Sequence, residues 1–147
     1  MTDLQQPQLE TLTREECLAL LRQAVVGRIG YVADGIAIIL PVNFTMLDGD
    51  IVFCTAKGSK LSWLSLRRRV SFQADESGPA DHQGWSVLVQ GVAREITDPG
   101  ELAVLRRRPL RSWLRSPEEH WVRISVESIS GRALHATATA PPVPRLP

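Results

Sequence analysis

This 147-residue sequence has almost no excess of charge of either sign, because 17 basic and 16 acidic side chains leave a net charge of +1. A chain so close to neutrality gives no case for a nucleic-acid partner or an anionic membrane surface. Long hydrophobic runs are also missing, and none approaches the ~20 apolar residues that a membrane-spanning helix needs. Any charged ligand must therefore be bound by a local group of side chains.

Cysteine is scarce as well. Cys17 and Cys54 lie far apart in the sequence, with no CxxC pair and no histidines at metal-ligand spacing, so no metal site is predicted. We interpret both as reduced thiols that pack as small apolar side chains. Residues 1–10 lack the basic and then apolar layout of a signal peptide, and we expect a cytoplasmic protein.

The length and a hydrophobic content of 44% are typical of one globular domain. We predict a loose N-terminal tail over residues 1–12, a single domain over residues 13–136, and a disordered proline-rich tail over residues 137–147. The domain opens with a helix, since Thr13 and Glu16 match a capping box and an apolar stripe follows. Gly27 is predicted to end this helix.

Turn-forming residues divide the rest of the chain into short strands. Asp34-Gly35 and Asp48-Gly49-Asp50 predict two tight turns in a three-stranded antiparallel meander. The strand over 36–44 is apolar nearly throughout, and we expect both of its faces to be covered. The remaining predicted elements are a helix over 59–69 that ends at Arg67-Arg68-Arg69, strands over 70–75, 85–97 (bulged at Gly91) and 120–127, and a helix from Pro99. These elements predict a mainly β fold, a six-stranded antiparallel barrel with short peripheral helices.

The segment after the third strand carries the strongest chemical signal. A glycine-containing turn leads into a predicted helix, and free amides at a helix start attract phosphate. Thr55, Ser59 and Lys60 offer two hydroxyls and an ammonium group beside those amides. The segment does not have the spacing of a Walker loop. A strand, turn and helix with a lysine more often has a purely structural role, so phosphate binding is one of two hypotheses for this segment.

Five motifs in order resemble the pyridoxamine 5′-phosphate oxidase-like split-barrel flavoproteins, over about residues 13 to 134. They are Gly27-Arg28-Ile29-Gly30-Tyr31, Pro41-Val42-Asn43-Phe44, Phe53-x-Thr55-x-x-Gly58-Ser59-Lys60-Leu61, Gly84-Trp85-Ser86-Val87-Leu88-Val89-Gln90-Gly91, and a closing stretch from Trp113 through His120-Trp121-Val122-Arg123-Ile124 to Gly131-Arg132. The resemblance implies an FMN-binding split β-barrel, with FMN at the interface of a homodimer.

The resemblance also implies a set of cofactor-binding residues. It places Pro41, Val42 and Asn43 along the flavin ring, Thr55, Ala56, Ser59 and Lys60 at the phosphate and ribityl chain, and Trp85, Ser86, Trp113 and Arg132 at positions that complete the site, some from the partner subunit. No catalytic side chain is implied, because the flavin performs the redox chemistry and the protein positions it.

The substrate and the cofactor stay open at this point. The chain lacks the C-terminal substrate-binding pattern of the vitamin-processing oxidases, and related families hold a deazaflavin, FAD or haem in the same barrel. We expect an FMN-dependent oxidoreductase or reductase of unassigned substrate, with NAD(P)H or a small redox acceptor as its partner. The alternatives are a barrel that binds or sequesters a flavin, deazaflavin or haem without turnover, and a structural dimer with a vestigial site.

Overall fold

The computed structural model describes residues 8–56, 67–77, 83–107 and 119–135. Within these ranges the chain is mostly extended, with two short helices. In chain order the elements are β1 Gln8–Thr11, α1 Arg14–Gln23, β2 Val26–Ala33, β3 Ile36–Leu47, β4 Asp50–Ala56, β5 Arg68–Ser77, β6 Gly84–Glu95, α2 Pro99–Arg106 and β7 Glu119–His135.

The strands close into a barrel. Every described pair is antiparallel, the sheet order is β1-β7-β4-β3-β2-β5-β6, and β6 also pairs with β7. The ring of β2 to β7 confirms the predicted six-stranded antiparallel barrel with short peripheral helices. β1 adds a seventh strand beside the end of β7, within the segment predicted as a loose tail, so the sheet begins earlier than the sequence indicates. The predicted domain boundaries and the tail over 137–147 stay predictions, and that tail lies outside the described residues.

The first helix begins as predicted and ends earlier. The Thr13 hydroxyl accepts a hydrogen bond from the Glu16 amide at 3.2 Å, and α1 ends at Gln23. The prediction that Gly27 ends the helix is wrong, because Gly27 lies inside β2. A Cβ there would overlap Cζ of the Phe72 ring and lie 2.8 Å from the two neighbouring ring carbons. The position is a glycine because a core aromatic ring occupies the space of its side chain.

Both hairpin turns form where the sequence predicts them. Asp34 and Gly35 have φ of 50° and 75°, and Asp48 and Gly49 have φ of 49° and 80°. Two consecutive residues in the left-handed region are typical of the turn that matches the twist of antiparallel strands. The predicted bulge at Gly91 is also present, since the register of β6 against β7 shifts there.

One helix prediction is wrong at its C-terminal end. Arg68 and Arg69 open β5, where they lie opposite Ala93 and Val92 of β6. Pairing with a distant strand therefore overrides a local pattern that favours a helix end. The earlier part of that predicted helix, residues 59–66, lies outside the described residues.

The barrel interior is apolar, and no described polar or charged side chain is fully buried. Cys17 and Leu21 of α1 belong to the interior cluster, so α1 covers one end of the barrel. The buried strand residues of the cluster are Ile29, Tyr31, Phe44, Ile51, Phe53, Val70, Phe72, Ala74, Val87, Val89, Ala93, Val122 and Ile124. α2 packs Leu105 against the outside of the barrel beside Val52 and Trp121.

Part of the barrel wall leaves apolar side chains in solvent. Val26 and Val32 of β2, Ile39 of β3 and Leu88 of β6 are 40%, 59%, 69% and 42% exposed, and strand alternation places all four on the outer side. We call these four residues the outer apolar face. The expectation that both faces of the 36–44 strand are covered is therefore wrong for the single chain. Two residues of the outer apolar face, Val32 and Ile39, line a shallow groove of about 520 Å³.

Candidate functional site

The barrel has a gap where β3 and β4 separate. The β3–β4 ladder covers residues 44–47 and 50–53. Beyond it, β3 continues against β2 over 36–43, while β4 continues against β7 through Ala56. The residues of β3 that precede Phe44 thus pair only with β2, and the residues of β4 that follow Phe53 pair only with β7. The described ladders leave an opening between these two segments.

Two groups of predicted site residues flank this gap. Pro41, Val42 and Asn43 lie on β3 just before the ladder begins, and Thr55 and Ala56 lie on β4 just after it ends. Strand alternation turns Pro41 and Asn43 outward and Val42 towards the core, against which it packs. The structure therefore brings together the residues predicted for the ring and part of the set predicted for the phosphate.

A third group lies further around the wall. Ser86 of β6 is directly opposite Arg132 of β7, and both are exposed on the outer side. Trp85 alternates to the other side, lies opposite Ala133, and packs against the interior cluster. From Pro41, three inter-strand steps across β2, β5 and β6 reach this group, which corresponds to about 14 Å. Within one chain, the third group therefore does not touch the group at Pro41.

Polar side chains that sequence reasoning missed fill the space between these groups. Arg28 lies opposite Pro41, and its Nη1 is 3.4 Å from Gln73 Oε1 and 3.3 Å from Asp75 Oδ1. Gln73 in turn donates from Nε2 to Ser86 Oγ at 3.3 Å. Arg28 stood within a recognised motif, whereas Gln73 and Asp75 gave no signal because only the β2–β5 register brings them beside it.

The other predicted site residues, Ser59, Lys60 and Trp113, lie outside the described residues. In the part of the chain that the structure describes, no three His, Cys, Asp or Glu side chains are grouped to hold a metal ion. No described helix is long and apolar enough to cross a membrane. Cys17 and Cys54 are not joined in a disulfide. Burial, and then the charge of Glu16, raise the pKa of the Cys17 thiol, so this cysteine is a packing residue.

A six-stranded antiparallel barrel in which two neighbouring strands separate along part of their length defines the split-barrel class of proteins. The family model for pyridoxamine 5′-phosphate oxidase matches residues 13–133. The chain belongs to this family.

Solved structures and curated relatives extend the comparison. The fold is similar to that of the FAD-binding protein from Mycobacterium smegmatis, with a TM-score of 0.76, 36% identity, and coverage of 86% of this chain and 98% of that one. It is also similar to a FAD-binding protein from Mesorhizobium loti, with a TM-score of 0.71, 27% identity, and coverage of 85% and 97%. An uncharacterized protein of Mycobacterium tuberculosis, Rv0080, is 30% identical over an alignment of 136 residues that covers 88% of this chain and 88% of that one.

Proposed function

We propose that this protein binds a flavin nucleotide at the gap between β3 and β4 and acts, as a homodimer, as an FMN-dependent oxidoreductase of unassigned substrate. The observation that carries the proposal is the position of two groups of residues, predicted for the ring and for the phosphate, on the two sides of one gap. Pro41, Val42 and Asn43 border it from β3, and Thr55 from β4. An outward proline beside polar side chains fits a flat ring with a polar edge.

The outer apolar face supports the homodimer. Ile39 and Val32 are more than half exposed, and a barrel of this size has no further element among its described residues to cover them. Pro41, Asn43 and Ser86 lie on the same outer side. A second copy packed there would cover the apolar side chains and bring its own Ser86 and Arg132 to the first copy's gap. The site would then be complete in the dimer, although Ser86 and Arg132 lie away from Pro41 within one chain.

In this proposal the chain holds and shields the cofactor. A bound flavin supplies hydride and single-electron chemistry, with NAD(P)H or a small redox acceptor as the reaction partner. Arg28, held by Gln73 and Asp75, would present a fixed cation beside Pro41. Such a cation stabilises negative charge at the polar edge of the ring. A cytoplasmic location, expected from the sequence, is part of the same proposal.

FAD is the second candidate cofactor. Two relatives with 36% and 27% identity are FAD-binding proteins. Both flavin nucleotides carry the same ring and a phosphate at the end of the ribityl chain, so the same gap serves either. The alternative of binding or sequestration without turnover, for a flavin, deazaflavin or haem, uses the same site and differs only in the reaction.

The test is reconstitution followed by reduction. Purified protein is mixed with excess FMN or FAD and desalted, and the retained flavin is measured by its visible absorbance. NADH or NADPH is then added anaerobically. Retained flavin that is bleached supports an oxidoreductase, retained flavin that stays oxidised supports the binding protein, and the absence of retained flavin contradicts the proposal.

A pair of variants tests the phosphate end of the site. Lys60→Ala should weaken binding of the flavin nucleotide by roughly tenfold, since it removes one charge-assisted contact. Arg22→Ala, at the exposed end of α1, removes a charge of the same sign elsewhere and should leave binding unchanged. Equal affinity in the wild type and Lys60→Ala would contradict the assignment of Lys60.

A further inference from the structure

Three polar side chains lie on neighbouring strands at the end of the barrel that α1 does not cover. His120 of β7 lies directly opposite Thr55 of β4. Glu95 of β6 pairs with Val122, two residues further along β7, so Glu95 lies diagonally across from His120 on its other side. Strand alternation puts all three on the side of the inward residues Phe53, Val122 and Ala93, where each strand reaches the rim.

The histidine and the glutamate are tightly paired. His120 Nδ1 lies 2.5 Å from Glu95 Oε1, and the two side chains are 40% and 29% exposed. An ionised carboxylate only accepts, so Nδ1–H donates to Glu95 and the ring orientation is fixed. The Nε2 atom, on the opposite side of the ring, is then turned away from Glu95. The nearby charges Arg94 and Glu101 pair with each other at 3.4 Å.

We propose that His120, oriented by Glu95, binds the phosphate of the flavin nucleotide through Nε2, beside Thr55. This inference rests on the proposed function and adds to it a residue on a strand that the resemblance does not assign to the phosphate. For Nε2 to donate to a phosphate oxygen while Nδ1–H donates to Glu95, the ring must carry both protons, so the proposed complex contains His120 as an imidazolium. Glu95 is a positioning residue in this arrangement.

Chain connectivity supports the phosphate as the ligand group. Thr55 is the penultimate residue of β4, and the segment with Ser59 and Lys60 follows it directly in the sequence. His120 is the register partner of Thr55, so it lies one strand spacing, about 5 Å, from this predicted phosphate residue. A merely structural surface pair would contribute between 0 and about 1 kcal/mol to folding and nothing to ligand discrimination.

The experiment compares two flavins that differ in the phosphate alone. Titration of the purified full chain with FMN and with riboflavin, followed by flavin fluorescence, gives two dissociation constants. His120→Ala should weaken FMN by roughly 10-fold or more, the loss of one hydrogen bond to a charged group, and leave riboflavin unchanged. Glu95→Gln should weaken FMN by a smaller factor, again without an effect on riboflavin.

The chain offers a matched control. His135 Nε2 lies 2.7 Å from Glu10 Oε2 near the other end of β7, so it is a second histidine paired with a carboxylate. His135→Ala should leave both dissociation constants unchanged. His120→Gln, which keeps a polar side chain at the rim, should reproduce the selective loss of FMN affinity if His120→Ala does not fold.

Two results would overturn the inference. An equal loss of FMN and riboflavin affinity in His120→Ala would mean that His120 contacts the ring or the ribityl chain, or only maintains the fold. Unchanged FMN affinity would mean that it contacts no part of the cofactor. Failure of the wild type to bind either flavin would instead contradict the proposed function itself, and the inference with it.

Discussion

The outer apolar face should hold two copies of this chain together, and Ile39 is its most exposed member. Ile39 is 69% exposed in the single chain. Because full burial of an isoleucine side chain contributes about 1.5–3 kcal/mol, covering the exposed two thirds contributes about 1–2 kcal/mol. A two-fold interface contains the residue twice, which gives about 2–4 kcal/mol per dimer, or roughly a 30- to 1000-fold change in the dissociation constant.

Ile39→Glu removes this contribution and adds a carboxylate that the interface would have to desolvate, so the range is a lower bound. Sedimentation velocity over a concentration series should show the variant as a monomer at concentrations where the wild type is a dimer. Since the proposed site takes residues from both copies, the variant should also retain less FMN after desalting.

Val104→Glu is the matched control. Val104 is 49% exposed on α2, away from the outer apolar face, and the same substitution there should leave the dimer intact. Circular dichroism checks that both variants are folded. A folded Ile39→Glu protein that dimerises like the wild type would refute the assignment of this face, and a monomeric wild type at tens of micromolar would refute the homodimer.

Three further predictions concern stability, each measured by urea unfolding followed by tryptophan fluorescence. Gly27→Ala should cost about 1–3 kcal/mol by overpacking against the Phe72 ring, and Phe72→Leu in the same chain should recover part of that loss. Asp50→Ala should cost about 2–3 kcal/mol, because the Asp50 carboxylate accepts from Arg123 Nε at 2.8 Å and from a backbone amide at 3.2 Å. The stability that comes from keeping the Cys17 thiol neutral is present below its unfolded pKa of 9.0 and is lost as the pH rises above it. Cys17→Ala should therefore show a smaller fall in the free energy of unfolding between pH 8 and pH 10.

Each of these predictions has its own control. Strictly additive effects of Gly27→Ala and Phe72→Leu would show that the two sites are independent. Arg69→Ala breaks the ion pair between Arg69 and Glu127, in which the Arg69 side chain is 79% exposed. It should lower the free energy of unfolding by less than about 1 kcal/mol. If Asp50→Ala cost no more than Arg69→Ala, the result would contradict the stabilising role given to the partly buried pair of Asp50 and Arg123. An identical pH dependence in Cys17→Ala and the wild type would contradict the thiol prediction.

The sequence by itself determined the elements whose structure depends on neighbours in the chain. The helix start at Thr13 needs only an amide three residues away, and the turns at Asp34-Gly35 and Asp48-Gly49 need only residues that tolerate positive φ. The ordered motifs also predicted the barrel and the residues on both sides of its gap. A helix cap, a two-residue turn and a short motif are all complete within a few positions of the chain.

Tertiary structure alone decided what depends on strand register. Gly27 faces a ring 45 residues later in the sequence, Arg28 meets Gln73 at the same separation, and Glu95 meets His120 across 25 residues. Nothing local marks these positions, because a strand residue's contacts are set by whichever strand pairs beside it. The outer apolar face likewise became visible only when alternation around a closed barrel showed which side of each strand points outward.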